Sequence, residues 1–448
     1  MINDPITGRS RQFSSTLPQN HEGRLRYMRW TLLGGCLVGM LVSIPLWLTH
    51  RDYPLLPWIA GFPTLPSPWD KAFFGALLLS LLLAFRFFRS AVLFFLAGTL
   101  FSFLGDQNRG QPWMYLYWVM LLLALQPAPA ALASCRAALS GVYVWSGIQK
   151  LNPAFQEVVA PWFISPASDW LTPAWLAPLR CLLATAPWME ILVGLGLWIS
   201  FLRRPAILLA FVIHLGALLF LGLGHRYNPA VWPWNFTMLA LVLVLFPAGT
   251  TIGTMVQLRQ AWCAVTVLVL FWLLPVLSYS GRWPSYFSFA LYSANLARAE
   301  IYLDDSVRQR LPESMQRFIR PLGRTPHPRI QGPHLFDQQT WAMAVLGAAP
   351  WPEPNGFQSV RRYLAQWSST TGGLRMVVAS RGGSMHFYEG ENSWRIRLPA
   401  EDAAANSPRE RFFAAAGIHF GKRDNGTAAS AASSARAGDP LAQVDHHK

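Results

Sequence analysis

Residues 188–224 read WMEILVGLGLWISFLRRPAILLAFVIHLGALLFLGLG. Two apolar runs flank one Arg203–Arg204 pair, and the second run, 205–224, offers twenty residues with His214 as its one ionisable side chain. At 1.5 Å per residue that run matches the hydrocarbon thickness of a bilayer and predicts a spanning helix. The composition agrees: of 448 residues, 52% are hydrophobic and 13% charged, with 21 Trp and 28 Phe. Too little polar surface remains to clothe a soluble globule.

Working outward, Trp30–Leu48 is an uncharged run too long for the core of a signal peptide, and is expected to be a first span. Further spans are expected near 72–88, 90–104, 113–125, 137–149, 188–202, 205–224, 232–247 and 261–277. The expected fold is an all-α polytopic membrane helical bundle of about nine spans with a small C-terminal α+β extramembrane domain. Its parts are a cytoplasmic segment over 1–29, the membrane domain over 30–277, the α+β domain over 278–421 and a disordered tail over 422–448. In the α+β part, RAEIYLDDS and LRMVVASRGGSMHFYEGENSWRIRL alternate as strands do, whereas QQTWAMAVLG and GFQSVRRYLAQWSS have helical spacing. The tail is small and polar, with no apolar face to bury.

The net charge of +15 sits on scattered arginines at the ends of apolar runs, not on a patch with stacking aromatics, so topology explains it better than nucleic acid does. With the N-terminus in the cytoplasm, the inner segments carry eleven basic residues up to Arg259, and the outer loops before residue 278 carry six. That asymmetry and an odd span count place the C-terminal domain outside the inner (plasma) membrane. The four cysteines, Cys36, Cys135, Cys181 and Cys263, are far apart and form no CxxC, which speaks against thiol redox chemistry and a zinc site. No dinucleotide fingerprint, Walker loop, GxSxG elbow or HExxH pair occurs.

The expected topology brings Asp106, Arg109, Lys150, Asn152, Glu190, Arg226, Trp234 and Asn235 to one outer interface. Ionisable groups at that depth face protein or water, and a polar cavity could neutralise them together. Alternatively, each snorkels to the headgroups within a tryptophan belt. Lys150 stands out as one of four lysines, at the end of an apolar run in SGIQKLNPAF. Unlike arginine, a desolvated lysine can release its proton and act as a base. His214, near mid-membrane, could relay protons or hydrogen-bond another helix.

The stretch YVWSGIQKLNPAF, the acidic helix start WMEILVGLGL, the His-bearing helix and the aromatic opening VWPWNFTMLALVLVLF resemble, in that order, the membrane (HTTM) domain of the vitamin K-dependent gamma-carboxylase family. That family uses reduced vitamin K, oxygen and carbon dioxide to carboxylate glutamate. The resemblance implies that Lys150 is the base that deprotonates a hydroquinone. Where the carboxylases carry an Asn-His pair, this chain has Pro112 and Trp113, and its extramembrane part is shorter. The Lys150 element is also similar to the DoxX and MauE group of small membrane proteins, linked to quinone or thiol redox chemistry.

As an enzyme, the chain is expected to bind a quinone or quinol, or another lipid-soluble substrate. Lys150 would be the base, Glu190 or Asp106 its ionic partner and His214 a deeper relay, with Asp106, Arg109, Asn152, Trp234 and Asn235 binding substrate. The alternatives are a non-catalytic scaffold whose exported domain binds a protein or envelope partner, and a transporter, for which no inverted repeat is visible.

Overall fold

The computed structural model describes residues 20–247, 261–321, 334–368, 372–379, 385–389 and 392–396. The bundle helices are α1 (His21–Val42), α2 (Trp69–Leu83), α3 (Phe88–Gly105), α4 (Pro112–Leu123), α5 (Ala128–Gln149), α6 (Ala186–Gly196), α7 (Arg203–Ala217), α8 (Val231–Leu245) and α9 (Ala261–Val267). π-helical turns extend α7 to Gly224 and carry the chain on from α9. The expected tail over 422–448 and most of the segment before residue 30 lie outside the described residues.

The first helix begins nearer the N-terminus than its apolar run. Asn20 caps it, accepting a hydrogen bond from the Gly23 amide at 2.7 Å, and Glu22 sits in the favourable first turn. Leu25, Met28, Leu32, Leu33, Cys36 and Met40 then form a buried stripe at helical spacing, so the inward face starts before Trp30.

About nine membrane spans is not supported. Among the described residues, three helices are long and apolar enough to cross a membrane: Phe88–Gly105, Arg203–Gly224 and Trp262–Ser280. Pro173–Ala184 and α6, bent by 47° at their junction, could together add a fourth. The remainder fail for identifiable reasons. α4 and α8 are apolar but have only 12 and 15 residues, and α1 and α5 dilute their apolar residues with arginine, glycine and serine. Three helices of this length and composition are consistent with a membrane protein.

The centre of the bundle is α5, all but a few of whose residues are buried. It packs most closely against α6 because small residues let the backbones approach. A Cβ added at Gly147 would fall 2.4 Å from the Pro187 carbonyl oxygen, and one at Gly194 2.8 Å from that of Ser140. α1 packs on α8 and on α5, and α7 on both α6 and α8.

The C-terminal part is α+β as expected, with one six-stranded antiparallel sheet ordered β2-β3-β1-β4-β5-β6. The strands are β1 (Arg298–Leu303), β2 (Ile319–Pro321), β3 (His334–Phe336), β4 (Leu374–Ala379), β5 (Met385–Glu389) and β6 (Asn392–Ile396). Along β1, Ile301 stands opposite Phe336 on one side and Met376 on the other, all three buried. Helices α10 (Gln338–Leu346) and α11 (Pro354–Ala365) pack on the sheet. RAEIYLDDS is strand only over its first six residues, because Asp304 caps a short helix by accepting from the Val307 amide. Strands β2 and β3 were not legible, being three residues long.

One apolar core runs through bundle and sheet without interruption. Trp351 lies at the joint against Phe103, Trp58, Phe287 and Tyr286. Its amide donates to Asn108 Oδ1 at 3.0 Å, while Gln111 Nε2 donates to the Ala349 carbonyl at 2.9 Å.

Candidate functional site

Pro153 cannot continue α5, so the helix ends with Lys150 as its C-cap, and the Lys150 side chain turns back along its own helix. Nζ donates to Glu190 Oε2 at 2.8 Å and Oε1 at 3.1 Å, and to Ser146 Oγ at 2.6 Å. Both side chains are about nine-tenths buried. Glu190 reaches this position because α6 lies directly on the glycine face of α5. Removing either partner would strand a charge in an apolar bundle.

Tyr143 lies on the same face of α5, seven residues and so roughly 10 Å before Lys150. Its hydroxyl meets His214 Nε2 at 2.7 Å, and His214 Nδ1 meets Asn235 Oδ1 at 2.8 Å. The amide oxygen of Asn235 can only accept, so Nδ1 carries the proton and Nε2 accepts from Tyr143. Asn235 is held by donating from Nδ2 to the Val231 carbonyl at 2.8 Å. His214 is therefore held between two fixed partners on helices α5 and α8.

Asp106 and Arg109 lie elsewhere. Asp106 is bonded by the Arg51 guanidinium and receives the Leu56 amide and Asn108 Nδ2, the last at 2.9 Å. Arg109 donates to the carbonyls of Leu46, Trp47 and Ser102 at 2.9–3.1 Å. These bonds order the turn that presents Asn108 to Trp351, so this group supports the joint with the sheet. Asn152 caps the turn after α5, accepting from the Phe155 amide at 2.9 Å and donating to the Ser293 carbonyl at 2.8 Å. Asn295 Nδ2 in turn bonds Gln149 Oε1. Trp234 is half-buried in the core, with no hydrogen-bond partner for Nε1 among the described residues.

Of the candidate catalytic and substrate-binding residues, six thus form three groups: Lys150 with Glu190, His214 with Asn235, and Asp106 with Arg109. Asn152 and Trp234 stand apart from all three. Ser146 and Tyr143 were missed by sequence reasoning. Spacings of four and seven residues from Lys150 were the available signal. Arg51 had none, since its partner lies 55 residues away.

A cavity of about 280 Å³ lies between the sheet and the bundle loops that carry Trp162 and Tyr227. Trp162, Tyr227, Tyr286 and Tyr292 form an aromatic wall, and Arg298 and Glu300 of β1 face them. Trp162 stacks on His225 at 4.5 Å between ring centres. Burial lowers the Arg298 pKa to about 10, against the opposing pull of Glu300. Burial likewise raises the Glu300 carboxyl, which the Tyr302 hydroxyl and Arg298 partly offset. Lys150 and Glu190 do not line this cavity; the segment around Ser293 runs between Asn152 and the cavity-lining Tyr292 and Ala294. Among the described residues no three His, Cys, Asp or Glu side chains converge as a metal site. No family model, curated protein or solved structure matches the chain.

Proposed function

We propose that this chain is a membrane enzyme of the HTTM type that moves a proton on a lipid-soluble quinol or a similar substrate, with Lys150 as base. One observation carries the proposal: a lysine and a glutamate are bonded to each other inside an apolar bundle. Apolar residues of similar volume would hold the same helices together as well or better, so an ion pair there is better explained by chemistry than by stability. Proton transfer from Nζ to Glu190 leaves a neutral amine and a carboxylic acid. The amine then takes the hydroxyl proton of the substrate, giving an ammonium and a phenolate, with Ser146 steadying Nζ through both states. Tyr143, two turns deeper on the same face of α5, and His214 of α7 provide a fixed donor–acceptor chain for relay.

Substitution at Lys150 tests the proposal by complementation of a deletion strain, with membrane abundance followed by blotting. Lys150→Arg keeps the charge but cannot release a proton at physiological pH, so it should fail as Lys150→Met does while reaching the membrane. Full rescue by Lys150→Arg would overturn the base assignment. It would leave a scaffold, with the cavity beneath the sheet as its binding feature.

A further inference from the structure

The end of the bundle opposite the sheet holds a group of arginines that the proton-transfer proposal does not use. Arg24 of α1 donates from Nη2 to the Leu245 carbonyl at 2.8 Å, and from Nε and Nη2 to that of Val244 at 3.2 and 2.9 Å. Arg136 of α5 donates from Nε to the same Leu245 oxygen at 2.7 Å. Two guanidinium groups therefore meet at one carbonyl, with residue exposures of 6% and 3%. Arg203 lies within electrostatic reach of both and donates to the Leu197 carbonyl at 3.0 Å.

The carbonyls at the end of α8 attract cations, but a helix C-terminus supplies only roughly half an elementary charge. That offsets less than one of the two arginines bonded to it. Neither Arg24 nor Arg136 meets a carboxylate among the described residues, and the adjoining sequence 248–260 contains no Asp or Glu. Arg136 uses Nε alone; its two terminal nitrogens, the fork that fits an oxyanion, have no protein acceptor among the described residues. Buried guanidinium groups this close need an anion.

We propose that Arg24 and Arg136, with Arg203 beside them, bind a phosphate-bearing anion, supplied in the membrane by an acidic phospholipid headgroup. The site lies at the end of the bundle away from the sheet. α5 carries Arg136 some 14 residues, roughly 21 Å, before Lys150 and the sheet. By the positive-inside rule its arginine end faces the cytoplasm, whose leaflet is rich in anionic lipid.

The test is the thermal unfolding midpoint of the full chain in detergent with added phosphatidylglycerol, phosphatidylcholine or inorganic phosphate. Phosphatidylglycerol should raise the wild-type midpoint by roughly 3–6 °C over phosphatidylcholine. Arg204→Gln, at the exposed neighbouring arginine, should keep that rise, and Arg136→Gln should lose it. A full rise with inorganic phosphate alone would overturn the headgroup as the source while retaining the anion site. Equal midpoints in all three additions, or a rise that survives Arg136→Gln, would overturn the site itself. If Arg136→Gln does not fold, the three wild-type midpoints decide the matter, backed by native mass spectrometry for retained phosphatidylglycerol.

Discussion

At the scale of single residues, Lys150 and Glu190 are worth more to each other than to the fold. Lys150→Met should cost about 3–5 kcal/mol, because Glu190 is left charged and unpaired, and Lys150→Met with Glu190→Leu should recover most of it. Thermal midpoints of the two variants in one detergent check this; a double variant no more stable than the single would mean the pair is not coupled. Glu300 makes a prediction about pH. Its folded-state pKa is raised above the ordinary 4.5, so the folded state holds a proton that the unfolded chain has lost. Its contribution is present below 4.5 and is lost as pH rises through the raised value, and Glu300→Gln should therefore gain on wild type as pH rises above 4.5. A constant difference in midpoint across that range would contradict it. Lys150 was legible because a lysine at the end of an apolar run is conspicuous. Its pairing with Glu190 was legible only as shared depth, and depth also gathered Asp106 and Arg109, which the chain uses to fasten the sheet.

At the scale of elements, glycine placement positions the pair. Gly147 and Gly194 bring α5 and α6 into backbone contact, and the separation of Lys150 from Glu190 is set by that contact. Gly147→Val has no space beside the Pro187 carbonyl and the Ile191 backbone, so it should push the helices apart and cost about 2–3 kcal/mol. Gly34→Val, where an added Cβ meets nothing within 4 Å, should cost less than half as much. Equal losses in midpoint would show that helix propensity, not packing, dominates. Helices α10 and α11 were readable from their spacing, but hydropathy overstated the spans, since α4 and α8 are buried by their neighbours and need no bilayer length. The start of α1 was hidden because Arg24 and Arg29 look like flanking charges. Both in fact cap helix ends, Arg29 through the Ala124 carbonyl at 2.6 Å.

At the scale of the whole molecule, the bundle has two chemically distinct ends. Arg24 and Arg136 mark one end of the bundle, and the bonds of Asn152 to Ser293 and of Gln149 to Asn295 fix the sheet to the other. With the arginine end in the cytoplasm, alkaline phosphatase fused after Gly421 should be active. Silent phosphatase with bright green fluorescent protein at the same position would invert the orientation. The partition into bundle and sheet was visible in composition. The continuity of their core was not, because it rests on contacts such as Trp351 with Phe103, 248 residues apart in sequence.

The bond from Asn152 to Ser293 also sets an order of events in time. A ribosome has finished Lys150, Glu190 and His214 long before it makes Ser293, Asn295 and Trp351. The helices are therefore made before the segment that covers the Lys150 end of α5, and Gln149 and Asn152 gain these partners only when Ser293 and Asn295 follow. Closure waits for nearly two thirds of the polypeptide, so a nascent chain that stalls before Ser293 leaves behind a bundle that is open where the finished protein is shut.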